Sequence, residues 1–91
     1  MISFEGKVAA ITGAGNGIGL ATARLMAAHG ARLVLTDIDN ARLEEVAAEL
    51  DPSGQRVYTH ALDVSASADC ERVFEAAAKH FGGLDHLVHC A

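Results

Sequence analysis

Between the apolar run Val8-Ala9-Ala10-Ile11 and a segment with helical periodicity, the chain reads Thr12-Gly13-Ala14-Gly15-Asn16-Gly17-Ile18-Gly19. Glycine at every second position raises the entropy lost on folding, so the loop must need something that side chains prevent. The chemistry it suits is anion binding. Where a strand hands over to a helix, unpaired N–H groups and the positive end of the helix dipole face the strand's carboxyl end. Glycine there lets a pyrophosphate come close: Gly13 would serve the tight turn, Gly17 the close approach and Gly19 the packing of helix on strand. Asp37 lies 18 residues beyond Gly19, at the end of the next apolar run. A carboxylate at that place can accept hydrogen bonds from both hydroxyls of an adenosine ribose. Without a ligand the same glycines would be a mere connector, and Asp37 a helix cap or solvated turn acid.

The elements that must position these residues follow from periodicity. Residues 7–12 read as a strand whose unbroken apolar character fits a sheet buried on both faces. A helix runs from Gly17 to about His29 and closes at Gly30. Residues 32–36 form a second strand, and Asp39 or Asn40 caps a helix reaching Leu50, with Leu43, Val46, Ala47 and Leu50 on one face. Asp51-Pro52-Ser53-Gly54 is a turn signal. Residues 57–62 form a third strand. Ser65 or Ser67 starts a third helix, whose stripe is Cys70, Val73, Phe74, Ala77 and Phe81. A fourth strand spans 84–89. Strands alternating with helices of this length mean an α/β fold, a Rossmann-like βαβαβαβ chain with a parallel sheet and right-handed crossovers.

Composition narrows the function classes. The 91 residues are 51% hydrophobic with a mean hydropathy of +0.22 and a net charge of −5. That suits one small globular domain and leaves no basic footprint for nucleic acid. No apolar run exceeds about four residues, far short of the about 20 that a membrane span requires. The first residues lack the pattern of a secretory leader, so a cytoplasmic location is expected. Cys70 and Cys90 have no metal or redox spacing and read as reduced, small apolar residues.

The glycine spacing decides between dinucleotide folds. No GxxxxGK[ST] occurs, and starting at Gly13 the third glycine of GxGxxG would fall on Ile18. The pattern present is TGxxxGxG, by which the chain resembles the short-chain dehydrogenase/reductase family over nearly its whole length. The resemblance implies a sheet order beginning 3-2-1-4. It also implies that Asp63 accepts from the adenine amino group and that Val64 offers backbone. Gly82-Gly83-Leu84-Asp85-His86-Leu87-Val88-His89-Cys90-Ala91 resembles a family motif in which two asparagines stand where this chain has His89 and Cys90. A backbone role at Cys90 and Ala91 survives that departure better than a side-chain role at His89. The full set of cofactor-binding candidates is Gly13, Gly15, Asn16, Gly17, Ile18, Gly19, Asp37, Ile38, Asp63, Val64, His89, Cys90 and Ala91.

Electrostatics favours NAD. Asp37 would repel the 2′-phosphate of NADP, Ile38 offers no cation to receive it, and Asn16 is neutral where NADP-using relatives often carry a basic residue. Arg32 and Arg42 match no phosphate-clamping position. The family moves hydride between nicotinamide and an alcohol or ketone, using a Tyr-x-x-x-Lys pair and a serine. The resemblance implies that all three lie downstream of residue 91; Tyr58 is the only tyrosine, no lysine follows it four residues on, and it reads as packing in the third strand. The 91 residues therefore read as a single dinucleotide-binding domain, truncated before the catalytic region and inactive alone. The alternatives are a non-catalytic NAD- or adenosine-binding module, or a remnant held together by self-association. In the family's intact fold a further strand pairs with the fourth; if these 91 residues are the whole molecule, that strand is left as an open apolar edge at Leu87 and Val88, and a homo-oligomer or only marginal stability is expected.

Other groups carry less. His86 and His89 sit three apart on a strand and so face opposite sides; no metal site is expected. Arg42, Glu44, Glu45 and Glu49 read as a solvated helix face.

Overall fold

A computed structural model describes residues 3–61 and 67–90, residues 67–70 by their backbone alone. Its elements are β1 (Val8–Thr12), α1 (Gly17–Ala28), β2 (Arg32–Asp37), α2 (Asn40–Leu50), β3 (Val57–Ala61), α3 (Ser67–Phe81) and β4 (His86–His89). The four strands are parallel, as the alternating pattern implies, and lie in the order β3-β2-β1-β4, as the resemblance implies. Thr12 stands opposite Thr36 on one side and His89 on the other. The carboxyl ends of three strands thus line up along one rim.

All five residues of β1 are buried because the sheet is covered on both faces. Alternation along the strands sorts their side chains between two cores. Ala9, Ile11, Leu33 and Leu35 pack against Leu20, Ala23 and Met26 of α1 and Leu43 and Val46 of α2. Val8, Ala10 and Val34 point the other way, onto Val73, Ala76 and Ala77 of α3.

The helix ends obey local chemistry. Gly30 takes φ +95° just past the last turn of α1, where a left-handed residue is needed. Asp39 is the cap of α2, its Oδ1 accepting from the Arg42 N–H at 3.1 Å. After α2, the Asp51 carboxylate accepts from the Ser53 hydroxyl and from the backbone N–H groups of Ser53 and Arg56. Those hydrogen bonds, the Ser53 hydroxyl first, hold its pKa below the ordinary carboxylate value.

Several boundaries and faces differ from the sequence expectation. β2 runs one residue further, because Asp37 still pairs with Ala61. β4 begins at His86, not residue 84. The Asp85 side chain takes the Val8 N–H at 2.8 Å and its own N–H serves the Val8 carbonyl, so the residue acts as a latch between strands. Among the described side chains of α3 the buried ones are Val73, Ala76 and Ala77; Phe74 is 49% exposed. Glu49 is not simply solvated, since it forms a two-point ion pair with Arg24 that joins α2 to α1. Leu62, Ser65 and the side chain of Cys70 lie outside the described residues.

Candidate functional site

The site grows from the turn that follows β1. Gly13 adopts φ +66° and Gly17 φ +56°, values that side chains with a Cβ resist. Between them Ala14 is buried, its N–H donated to the Thr36 carbonyl at 3.0 Å, which stitches the turn to β2. Gly19 is buried on the inner face of α1. A Cβ there would collide with the Gly13 carbonyl group and come within 3.2 Å of the Ala14 Cα. The first turn of α1 therefore rests on the backbone of the loop that feeds it.

That first turn carries no internal anion. Asn16 is the cap residue, yet its side chain makes no capping hydrogen bond, and no acidic residue lies in the first turn. Asn16, Gly17 and Ile18 are exposed. A Cβ built on Gly17 would meet no atom within 4 Å. The helix thus opens with free donors and its positive dipole end toward a space that only glycine leaves clear, and these residues fit a phosphate group.

Asp37 closes the site on the β2 side. Its Oδ2 accepts the Gly15 N–H at 3.0 Å and its Oδ1 accepts the Asp39 N–H at 3.1 Å. The carboxylate is not the cap of α2; that task falls to Asp39. It stands against Gly15, which is buried and has no room for a Cβ, since one would lie 2.8 Å from Asp37 Oδ2 and 3.0 Å from Arg42 Cγ. Ile38 projects outward, 75% exposed, as does Ile18 at 78%. Both are apolar surfaces at the mouth of the site.

Arg42 is the residue that sequence reasoning missed. Placed on the solvated side of α2, it instead turns to the glycine loop, where its Nε–H donates to the Gly15 carbonyl at 2.8 Å. Its Nη1 meets Glu45 at 3.0 Å. The signal was faint: Arg42 sits three residues after the cap Asp39, but nothing local says that Gly15, 27 positions earlier, is within reach.

On the far side of β1, the Thr12 hydroxyl accepts the Cys90 N–H at 3.0 Å and lies 3.1 Å from His89 Nδ1. His89 thus makes a bracing side-chain contact, the role that the sequence expectation held less secure than the backbone roles of Cys90 and Ala91, and it ties β4 to β1 beside the loop. Cys90 is a free thiol. Asp63, Val64 and Ala91, expected around the adenine and ribose, lie outside the described residues. Tyr58 stacks on His80 with ring centroids 3.8 Å apart, in keeping with packing. Among the described residues no three His, Cys, Asp or Glu side chains gather as metal ligands, and no helix is long and apolar enough to cross a membrane.

Comparison with known proteins agrees with this geometry. A family model described as short chain dehydrogenase matches residues 7–91. Galactitol 2-dehydrogenase of Agrobacterium fabrum is 45% identical over 88 residues, covering 97% of this chain and 33% of that protein. A short-chain dehydrogenase/reductase from Brucella melitensis, described as a glucose/ribitol dehydrogenase, superposes with a TM-score of 0.88 at 44% identity, over 93% of this chain and 34% of its own. One from Burkholderia phymatum, solved in complex with NAD, superposes with a TM-score of 0.87 at 40% identity, over 96% of this chain and 31% of its own. The chain spans about a third of the length of these relatives.

Proposed function

The chain belongs to the short-chain dehydrogenase family, and on that premise we propose that it is the NAD-binding part of an oxidoreductase moving hydride between nicotinamide and an alcohol or ketone. The observation that carries this reading is the pairing of an uncapped, glycine-lined α1 N-terminus with the Asp37 carboxylate across Gly15. The loop donors would hold the pyrophosphate. Asp37 would hold the adenosine ribose: an ionised carboxylate offers about four lone-pair positions, and two are taken by Gly15 and Asp39. Two remain for two hydroxyls.

The same residues argue for NAD over NADP. A 2′-phosphate would meet the charges of Asp37 and Asp39, and desolvating like charges side by side is costly. Among the described residues, the cation bonded to Gly15 is Arg42, already engaged with the Gly15 carbonyl and Glu45. When bound, the dinucleotide supplies the nicotinamide carbon that accepts or gives hydride. This chain's share is to bind and orient it. On this reading the Tyr-x-x-x-Lys pair of the family reaction has no counterpart among these 91 residues, and their share is cofactor binding without catalysis or substrate choice. The reading sets the protein in the cytoplasm.

Titration calorimetry with NAD and NADP tests the reading. Asp37→Ala should weaken NAD binding by about 1–3 kcal/mol, roughly 5- to 150-fold, the range for leaving polar partners unpaired. An unchanged affinity removes Asp37 from the site.

For these 91 residues taken alone, we propose self-association. Leu87 pairs with Ala10 and so faces the α3 side of the sheet, where it is 48% exposed; among the described residues no strand lies beyond β4. A second copy would cover that edge. Sedimentation velocity at micromolar concentration should show a dimer or larger species. A monodisperse monomer that melts cooperatively overturns this part of the proposal.

A further inference from the structure

Gly15 is held from both sides, and the two holds belong to one closed circuit. Asp37 Oδ2 takes the Gly15 N–H and Asp37 Oδ1 takes the Asp39 N–H. Asp39 Oδ1 takes the Arg42 N–H, and Arg42 Nε–H returns to the Gly15 carbonyl. The loop after β2 thereby grips the middle of the glycine loop after β1. Nothing in the glycine loop itself could do this, because it carries no side chain longer than Asn16 before α1 begins. From this geometry we infer that Arg42 is a positioning residue of the dinucleotide site: its Nε–H, and not its charge, fixes the peptide after Gly15 and so presents the α1 N-terminus in the binding conformation. The inference rests on the proposed NAD site for its consequence, though not for its geometry.

Three observations separate this role from that of a surface cation. The donor is Nε at 2.8 Å, the inner nitrogen of the guanidinium, while the outer Nη1 is turned away to Glu45 at 3.0 Å. The Arg42 stem also contributes, its Cγ filling the space where Gly15 lacks a side chain. And Asp37 makes no ion pair with Arg42; the two charges meet through the Gly15 peptide groups instead.

The chemistry of two substitutions distinguishes donor from charge. Glutamine carries its side-chain nitrogen at the same distance along the chain as arginine Nε, so Arg42→Gln keeps a donor in place and removes the charge. Lysine has a methylene at that point, so Arg42→Lys keeps the charge and removes the donor. The experiment pairs NAD calorimetry with ¹H–¹⁵N spectra of the ligand-free chain, following the Gly15 and Asn16 amides. Arg42→Lys and Arg42→Ala should weaken NAD about tenfold, the worth of one hydrogen bond to a charged group, and shift both amides. Arg42→Gln should stay within about threefold of the unaltered chain and leave the amides near their original positions. Glu45→Gln should change neither.

If Arg42→Lys binds as the unaltered chain does while Arg42→Gln binds like Arg42→Ala, the charge is what matters and the inference is overturned. It is equally overturned if all three Arg42 variants melt lower yet bind NAD unchanged, because Arg42 is then a strut. If the unaltered chain does not bind NAD, the proposed function fails, and the amide shifts alone decide whether Arg42 holds Gly15.

Discussion

Leu33→Ala should destabilise the fold by about 2–5 kcal/mol, the range for truncating a fully buried leucine. Leu33 is at 0% exposure in the middle of the sheet, paired to Ala9 of β1 on one side and Val57 of β3 on the other. It packs in the core that α1 and α2 close. Its neighbours offer little relief: Ala9, Ala23 and Ala27 in that core are already small and cannot swing into the gap, so most of the cavity would persist. A chain of this size has only about 5–14 kcal/mol to lose. Thermal unfolding should fall by about 10 °C or more, whereas Leu25→Ala, at a position 58% exposed on α1, should stay within about 0.5 kcal/mol. A loss below about 1 kcal/mol at Leu33 would mean that β2 is not the strand between β1 and β3.

The reason this core could be read from the chain is that it depends on local pattern. Apolar runs of four or five residues between amphipathic stretches, with Gly30 and Asp51-Pro52-Ser53-Gly54 as stops, specify βαβ units whatever else the molecule does. The order β3-β2-β1-β4 came from the family resemblance, since short apolar strands alone do not say which neighbours pair. What the pattern could not fix was rotation about an axis. On α3, both Phe74 and Ala76 are compatible with a stripe through Val73 and Ala77, and hydrophobicity alone favours the phenylalanine. Close packing on β1, whose α3-facing residues are Val8 and Ala10, and on Val34 of β2 favours the small side chain, so Ala76 is buried and Phe74 is not.

The site divides in the same way. Its glycines were legible because φ and steric clearance are properties of single positions, and Asp37 because the end of a strand is a fixed place. Arg42 and His89 were not. Each acts on a residue far away in sequence: Arg42 on Gly15, His89 on Thr12. Helical periodicity assigns Arg42 to solvent, and only the approach of two loops on one rim of the sheet gives its Nε a carbonyl to bond. Comparison with the family motif kept His89 among the candidates but made its side-chain role look weaker than the backbone roles of Cys90 and Ala91. Yet an imidazole nitrogen can meet a threonine hydroxyl much as an amide does, so the brace survives the change of residue type.

Gly19→Ala is the sharpest test of how the site is built, because two effects of opposite sign compete there. Alanine inside a helix gains about 0.5–1 kcal/mol over glycine. Against this, its Cβ would overlap the Gly13 carbonyl and sit 2.8 Å from the Gly13 carbonyl carbon. These are backbone atoms, and they cannot rotate aside. Forcing extra atoms into such a contact costs about 1–3 kcal/mol, occasionally more, so the clash wins and Gly19→Ala should lose stability. Gly17→Ala behaves differently. No atom lies within 4 Å of its Cβ, and the penalty is that of φ +56°, about 1–2 kcal/mol for a residue with a side chain. But that Cβ would stand in the space proposed for phosphate, so NAD affinity should fall about 10–100-fold, as for one lost charge-assisted hydrogen bond, in a protein that still melts cooperatively. Calorimetric melting and NAD titration of both variants separate the roles: Gly19 joins helix to loop, and Gly17 keeps the mouth open. Were Gly19→Ala to melt as the unaltered chain does, α1 would not rest on the loop, and its free N–H groups would not point where a pyrophosphate could reach them.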